Sequence, residues 1–150
     1  MRIVESHIEI AVPSGKAILA FTDPILLKGW WGVEKSLIEL KTGGIYTLAW
    51  AVSEQGIRYV STGIVKEYDP STILHIEKYI YLNTERPFLG PQELSINAQE
   101  SNGGCRLQVT QGPYPETTGT DWDWYYDAVK EAWPGVLIGL KKFLEEKFPR

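Results

Sequence analysis

Hydrophobic and polar positions alternate at the start of the chain. In "SHIEIAV", Ile8, Ile10 and Val12 fall on one side and His7 and Glu9 on the other, the period-two pattern of a half-buried strand. Pro13 ends the run, and Ser14 stands where an N-cap would open a short helix over "GKAILAFT". Asp23 is placed to cap a second short helix with Pro24 at its first position. That helix, "ILLKGWW", closes near Gly29 and Gly32 with adjacent tryptophans, Trp30 and Trp31. From Ser36 to Gln111 the chain reads as strand. "SLIEL", "GIYTLAWAV", "IRYVSTGIVKEY", "TILHIEKYIYL", "QELSINAQE" and "CRLQVTQ" are rich in β-branched and aromatic residues, and "TGG", "EQG", "DPS", "RPFLGP" and "SNGG" punctuate them as turns. The spacing fits an antiparallel meander.

The last third changes period. Between Thr120 and Phe148 apolar residues recur at 122, 126, 129, 133, 136, 137, 140, 144 and 148, the spacing of an amphipathic helix. Thr120 and Asp123 have the spacing of a capping box. Asp121, Asp123 and Asp127 lie toward the positive end of the helix dipole, and Lys141, Lys142 and Lys147 toward the negative end. Pro134 predicts a kink or break near Trp133. The order is strand, two short helices, about six strands and a long helix, which is an α+β pattern. A meander with one apolar face needs a cover, and only the C-terminal helix is long enough to supply it. A curved sheet around such a helix leaves space between them, and space lined by aromatics makes a pocket.

Composition narrows the reading. The 150 residues suit one domain, 1–150. The net charge of −4 argues against a nucleic-acid partner, which would call for a basic face. The lone cysteine, Cys105, excludes an internal disulfide and points to a reducing compartment. No apolar run reaches the roughly 20 residues that span a bilayer. A cytoplasmic protein without membrane insertion is the expectation.

Candidate chemistry is sparse. Trp30 and Trp31 either plug the space between the small helices and the sheet or line a pocket. His75, Glu77 and Tyr79 share one face of a predicted strand, opposite Leu74, Ile76 and Ile80. They orient a ligand if that face points inward and are solvated if it points outward. His7 reads as a surface histidine. Two histidines and one cysteine spread over the chain offer no metal spacing, and no cofactor motif is present. Cys105 has no neighbouring base to make it a nucleophile. "GPYPETTGTDWDWYY" carries two prolines and four aromatics after them; it is a rim over the cavity, a partner-binding surface, or a helix entry folded onto the sheet.

Four segments carry a resemblance: "FTDPILLKGWWG", "LKTGGIYTLAW", "TGIVKEYDPSTIL", and "GGCRLQVTQ" followed by "EAWPGVLIGLKKFLEE". Together they resemble the heat-shock-protein-90 ATPase activator homologue family of the START-like SRPBCC superfamily. Ala132, where that family usually has glycine, and Pro134 depart from its pattern. The resemblance implies the helix-grip (Bet v 1-like) fold, a curved antiparallel sheet of six to seven strands around a long C-terminal helix. It brings no catalytic set. The expected function is non-catalytic binding of a small hydrophobic molecule, lipid-like or aromatic. Trp31, Tyr46, Trp50, Tyr59, Trp133 and Leu137 are the candidate wall, and His75, Glu77 and Tyr79 the candidate orienting groups. The alternatives are a stress-related partner of the 90 kDa chaperone and a polyketide-cyclase-like enzyme.

Overall fold

The computed structural model describes residues 1–117 and 119–149. The N-terminal alternation folds as β1 (Arg2–Ile10), and α1 (Ser14–Leu19) and α2 (Pro24–Trp31) follow. The six runs between Ser36 and Gln111 become β2 (Lys35–Ile38), β3 (Ile45–Ser53), β4 (Gly56–Asp69), β5 (Ile73–Asn83), β6 (Leu89–Ser101) and β7 (Gly104–Tyr114). The chain closes with α3 (Asp121–Lys147). The strands form one antiparallel sheet in the order β1-β7-β6-β5-β4-β3-β2. The meander therefore runs β2 to β7, and β1 returns to pair with the last strand, Glu5 opposite Thr110 and Ile10 opposite Cys105. With the long helix on one face, this is an α+β helix-grip.

The core lies between sheet and helix. Ile10, Leu48, Val65, Leu74, Ile76, Ile96 and Leu107 face it from the strands, and Leu137, Leu140 and Leu144 from α3. The helix is tied along β1. Arg2 pairs with Asp123 at 2.8 Å, Lys141 Nζ donates to Glu9 O at 2.9 Å, and Ala11 N donates to Glu145 Oε2 at 2.8 Å. Its main packing is against β1 and α2. The inner faces of β3, β4 and β5, on the other half of the sheet, are left for aromatic side chains to fill.

Local expectations meet mixed outcomes. Asp23 caps α2 by accepting from Ile25 N at 2.8 Å and Leu26 N at 3.1 Å, and Gly32 ends that helix with φ 71°, a left-handed turn glycine adopts without strain. Ser14 is not an N-cap. It is the first residue of α1, and its hydroxyl donates to Glu100 Oε1 at 2.9 Å. The Thr120–Asp123 capping box does not form. Thr120 Oγ1 donates back to Thr117 O, and Asp123 accepts from Gly119 N and pairs with Arg2 instead. Pro134 does not break α3, which is continuous through it. Its ring is exposed, as is Lys130 one turn earlier. The proline takes the helical donor from the Lys130 carbonyl, and it does so on an exposed stretch of the helix.

Candidate functional site

The site begins with an irregularity in β5. Strict alternation would put Tyr79 with His75 and Glu77, away from Leu74 and Ile76. Instead the ladder shifts. Thr62 pairs with Ile80 but Ile64 pairs with Glu77, so β5 carries one extra residue opposite Gly63. Lys78 takes φ 52° at this bulge, and the phase of the strand reverses beyond it. Tyr79 and Tyr81 turn inward, while His75 and Glu77 stay on the other face. Gly63 makes the bulge possible: a Cβ there would stand 2.5 Å from Ile76 Cγ2 and 2.9 Å from Glu77 O.

Between this half of the sheet and the first turns of α3 lies a cavity of about 790 Å³. Trp31 comes to it from the end of α2, Trp50 from β3, Tyr59 from β4, Tyr79 and Tyr81 from β5, and Tyr125 and Trp133 from α3. The indoles are inclined to one another. Trp31 meets Trp50 edge-on at 5.1 Å and Trp133 at 5.7 Å with 50° between planes. The phenols lie nearly parallel, Tyr59 to Tyr81 at 6.3 Å and Tyr81 to Tyr125 at 6.4 Å. Trp30 stands behind this wall. It stacks on Trp31 at 4.8 Å, meets Phe21 edge-on at 5.2 Å and donates its Nε1 proton to Ala20 O at 2.8 Å. The adjacent tryptophans thus divide their work, Trp30 holding the helix elbow and Trp31 facing the cavity.

Polar groups in and behind the wall are tied to one another. Trp133 Nε1 donates to Gln111 Oε1 at 3.0 Å. Gln111 Nε2 donates to Tyr125 Oη at 3.1 Å and to Gln92 Oε1 at 3.3 Å, and Gln92 Nε2 donates to Pro113 O at 3.0 Å. Trp50 Nε1 donates to Trp31 O at 3.1 Å. The indole donors of Trp50 and Trp133 are therefore consumed by the protein. Burial pushes the Tyr79 hydroxyl up to about 12 and Tyr125 higher still, with neighbouring phenols adding to the rise. Both remain neutral hydrogen-bonding groups at physiological pH. Among the described lining residues Glu34 is the one charged side chain, held at the edge by accepting from Val52 N at 3.3 Å.

Of the residues singled out from the sequence, Trp31, Trp50, Tyr59, Tyr79 and Trp133 lie at the wall, and four do not. Tyr46 is fully buried below it and donates its hydroxyl proton to Phe21 O at 2.6 Å, tying β3 to the helix elbow. Leu137, one turn beyond Trp133, is 1% exposed and belongs to the core. His75 Nε2 and Glu93 Oε1 lie 2.9 Å apart on the outer face, where Lys66 also reaches Glu93 at 3.3 Å; Glu77 shares that face. Burial pushes the Glu93 carboxyl up, but Lys66 and His75 outweigh it and hold it below its ordinary value. Cys105 is buried, and burial with Glu100 and Glu9 nearby pushes its thiol up to about 11, the reverse of what a nucleophile requires. Sequence reasoning missed Tyr81, Asn83, Gln111 and Ala132, which also line the cavity, as do Trp124 and Tyr125 of the stretch read as a rim or a helix entry. Gln111 did carry a signal: it follows Cys105, Leu107 and Val109 on the inward face, a polar residue at a core position.

Comparison with known proteins places this geometry. Protein MLL2253 from Mesorhizobium loti superposes with a TM-score of 0.75 at 21% identity, covering 97% of this chain and 98% of its own. The Aha1 dimer from Colwellia psychrerythraea, a solution structure, gives 0.70 at 19% identity, covering 97% of each chain. DynU16, from the dynemicin biosynthetic locus, gives 0.70 at 16% identity, covering 95% of this chain and 47% of its own. These likenesses are of fold. No curated protein matches the chain by sequence. The sequence profile described as "Activator of Hsp90 ATPase homolog 1-like protein" matches residues 13–145, and the chain belongs to that family.

Proposed function

We propose that the protein binds a small hydrophobic molecule, flat and at least partly aromatic, in the cavity between β3–β5 and α3, without catalysing its conversion. The observation that carries this reading is the wall itself. Tryptophans and tyrosines from five separate elements converge on one space of about 790 Å³, within the roughly 300–1,000 Å³ usual for ligand pockets. Burying about 200 Å² of apolar ligand surface contributes about 5 kcal/mol before binding entropy is lost. The cyclase reading has less support, because the lining offers one edge carboxylate and high-pKa phenols rather than an acid–base pair. Association with the 90 kDa chaperone rests on family membership and is tested separately by pull-down with the purified chaperone.

The test of the binding reading is a fluorescence titration with the neutral aromatic N-phenyl-1-naphthylamine. Wild type is compared with Ala132→Phe, which fills the cavity from an exposed helix position. Saturable binding that weakens by about tenfold or more in the variant is expected, a loss of about 1.4 kcal/mol, with thermal stability unchanged. Equal binding in both proteins would place the ligand elsewhere and overturn the proposal.

A further inference from the structure

We infer that this cavity is selective for a hydrophobic cation, a molecule whose aromatic or aliphatic body carries a protonated amine or quaternary ammonium group. The inference rests on the ligand-binding reading and names its ligand class. Three observations carry it. The lining is dominated by aromatic rings, whose π faces attract cations through their quadrupole, tryptophan most strongly. The indole donors of Trp50 and Trp133 point to protein acceptors, so at these positions the rings offer carbon and π surface rather than N–H groups. The charge on the lining is a carboxylate, Glu34, with no lysine, arginine or histidine among the described lining residues. An anionic headgroup would meet that carboxylate with nothing in the wall to neutralise it.

The same rings already accept cations from the protein's own surface. The Arg58 guanidinium lies 5.2 Å from the Tyr59 ring centroid and Arg86 lies 4.1 Å from that of Trp124. Both arginines sit outside the lining, and Arg58 is offset by Glu85 at 2.9 Å. Arg86 raises the positive potential beside Trp124, on the side of the cavity formed by the start of α3. The ligand's charge is therefore seated on the other side, between Glu34 and the inclined indoles of Trp31 and Trp50. Its apolar body extends toward Tyr81 and Tyr125.

The experiment compares three probes of one shape class: benzyltrimethylammonium, its neutral carbon isostere neopentylbenzene, and phenylacetate as the anion. Each competes against N-phenyl-1-naphthylamine on wild type and Glu34→Gln. The ammonium is expected to bind about 2- to 30-fold more tightly than the isostere, with phenylacetate weakest. In Glu34→Gln the ammonium's advantage shrinks at least by half while the isostere's affinity is unchanged. If the isostere or phenylacetate binds as tightly as the ammonium, or if none of the three competes with a reporter that does bind, cation selectivity is overturned and the cavity reading stands. An unchanged ammonium advantage in Glu34→Gln removes Glu34 from the account. If the reporter itself fails to bind, the cavity reading falls and this inference with it.

Discussion

Replacing Gln111 by leucine removes the centre of the polar chain behind the cavity while keeping side-chain size. Gln111 is 3% exposed, and three hydrogen bonds pass through it, to Trp133, Tyr125 and Gln92. The losses are unequal. Trp133 Nε1 becomes a buried donor without an acceptor, which costs about 1–3 kcal/mol. Gln92 Oε1 loses a long bond of 3.3 Å, but the Gln92 amide stays fixed through Pro113 O. Tyr125 loses a donor to its oxygen and keeps its own proton to donate. Apolar burial of the new leucine offsets part of the loss. The net expectation is about 2–3 kcal/mol, and at about 2–4 °C per kcal/mol for a chain of this size Tm falls by about 4–12 °C. The sharper assay is a double-mutant cycle by urea unfolding. Trp133→Phe removes the N–H that Gln111 serves, so Gln111→Leu in that background should cost about 1–2 kcal/mol less than in wild type. Additivity to within about 0.5 kcal/mol would mean that the Trp133–Gln111 bond contributes nothing, and would refute the reasoning.

Other expectations are equally direct. Gly63→Ala introduces a methyl within 3 Å of Ile76 and the Glu77 carbonyl, and overpacking of this kind costs about 1–3 kcal/mol; denaturant unfolding should show the loss, and unchanged stability would separate Gly63 from the bulge. Pro134→Ala restores a backbone donor at an exposed position of α3 and should raise stability by up to about 3 kcal/mol, whereas a loss would assign the proline a packing role. Tyr79, Tyr114 and Tyr125 hold their protons above the ordinary value of 10.0, mainly because of burial. The native state then binds more protons than the unfolded chain above that pH, so stability falls as pH rises from there through the raised folded values. Phenolate absorbance and circular dichroism recorded together should show these buried tyrosines ionising only as the fold is lost. Reversible ionisation of all eight tyrosines near the ordinary value with the spectrum intact would contradict their burial.

The fold was legible in the sequence because its signals are local and periodic. The alternation through Ile8 and Ile10, the Asp23–Pro24 helix start and the three-and-four spacing from Trp133 to Leu144 each survive in the structure, although the strand ends before Val12. The site was legible only in part, because it depends on departures from period. The bulge opposite Gly63 reverses the phase of β5, so a reading by strict alternation grouped Tyr79 with His75 and overlooked Tyr81. The candidate wall also took in Tyr46 and Leu137, although the Tyr46 hydroxyl is consumed by the Phe21 carbonyl and Leu137 by the core. Along α3 the cavity-facing positions, Tyr125, Val129, Ala132, Trp133 and Val136, lie beside the core stripe of Leu137, Leu140 and Leu144. Separating two neighbouring stripes takes knowledge of where the helix lies on the sheet. That position is set by Arg2, Glu9 and Ala11 of the first strand and the turn after it, far away in sequence.

The central claim, that ligands enter the space between β3–β5 and α3, is tested most directly by following the tryptophan indole N–H signals by NMR during titration with N-phenyl-1-naphthylamine. Trp50 and Trp133 line the cavity, whereas Trp122 lies outside it against Tyr114. The account predicts progressive, saturable shifts at Trp50 and Trp133 with Trp122 unmoved. Shifts confined to Trp122, or saturable binding that leaves Trp50 and Trp133 unmoved, would contradict it.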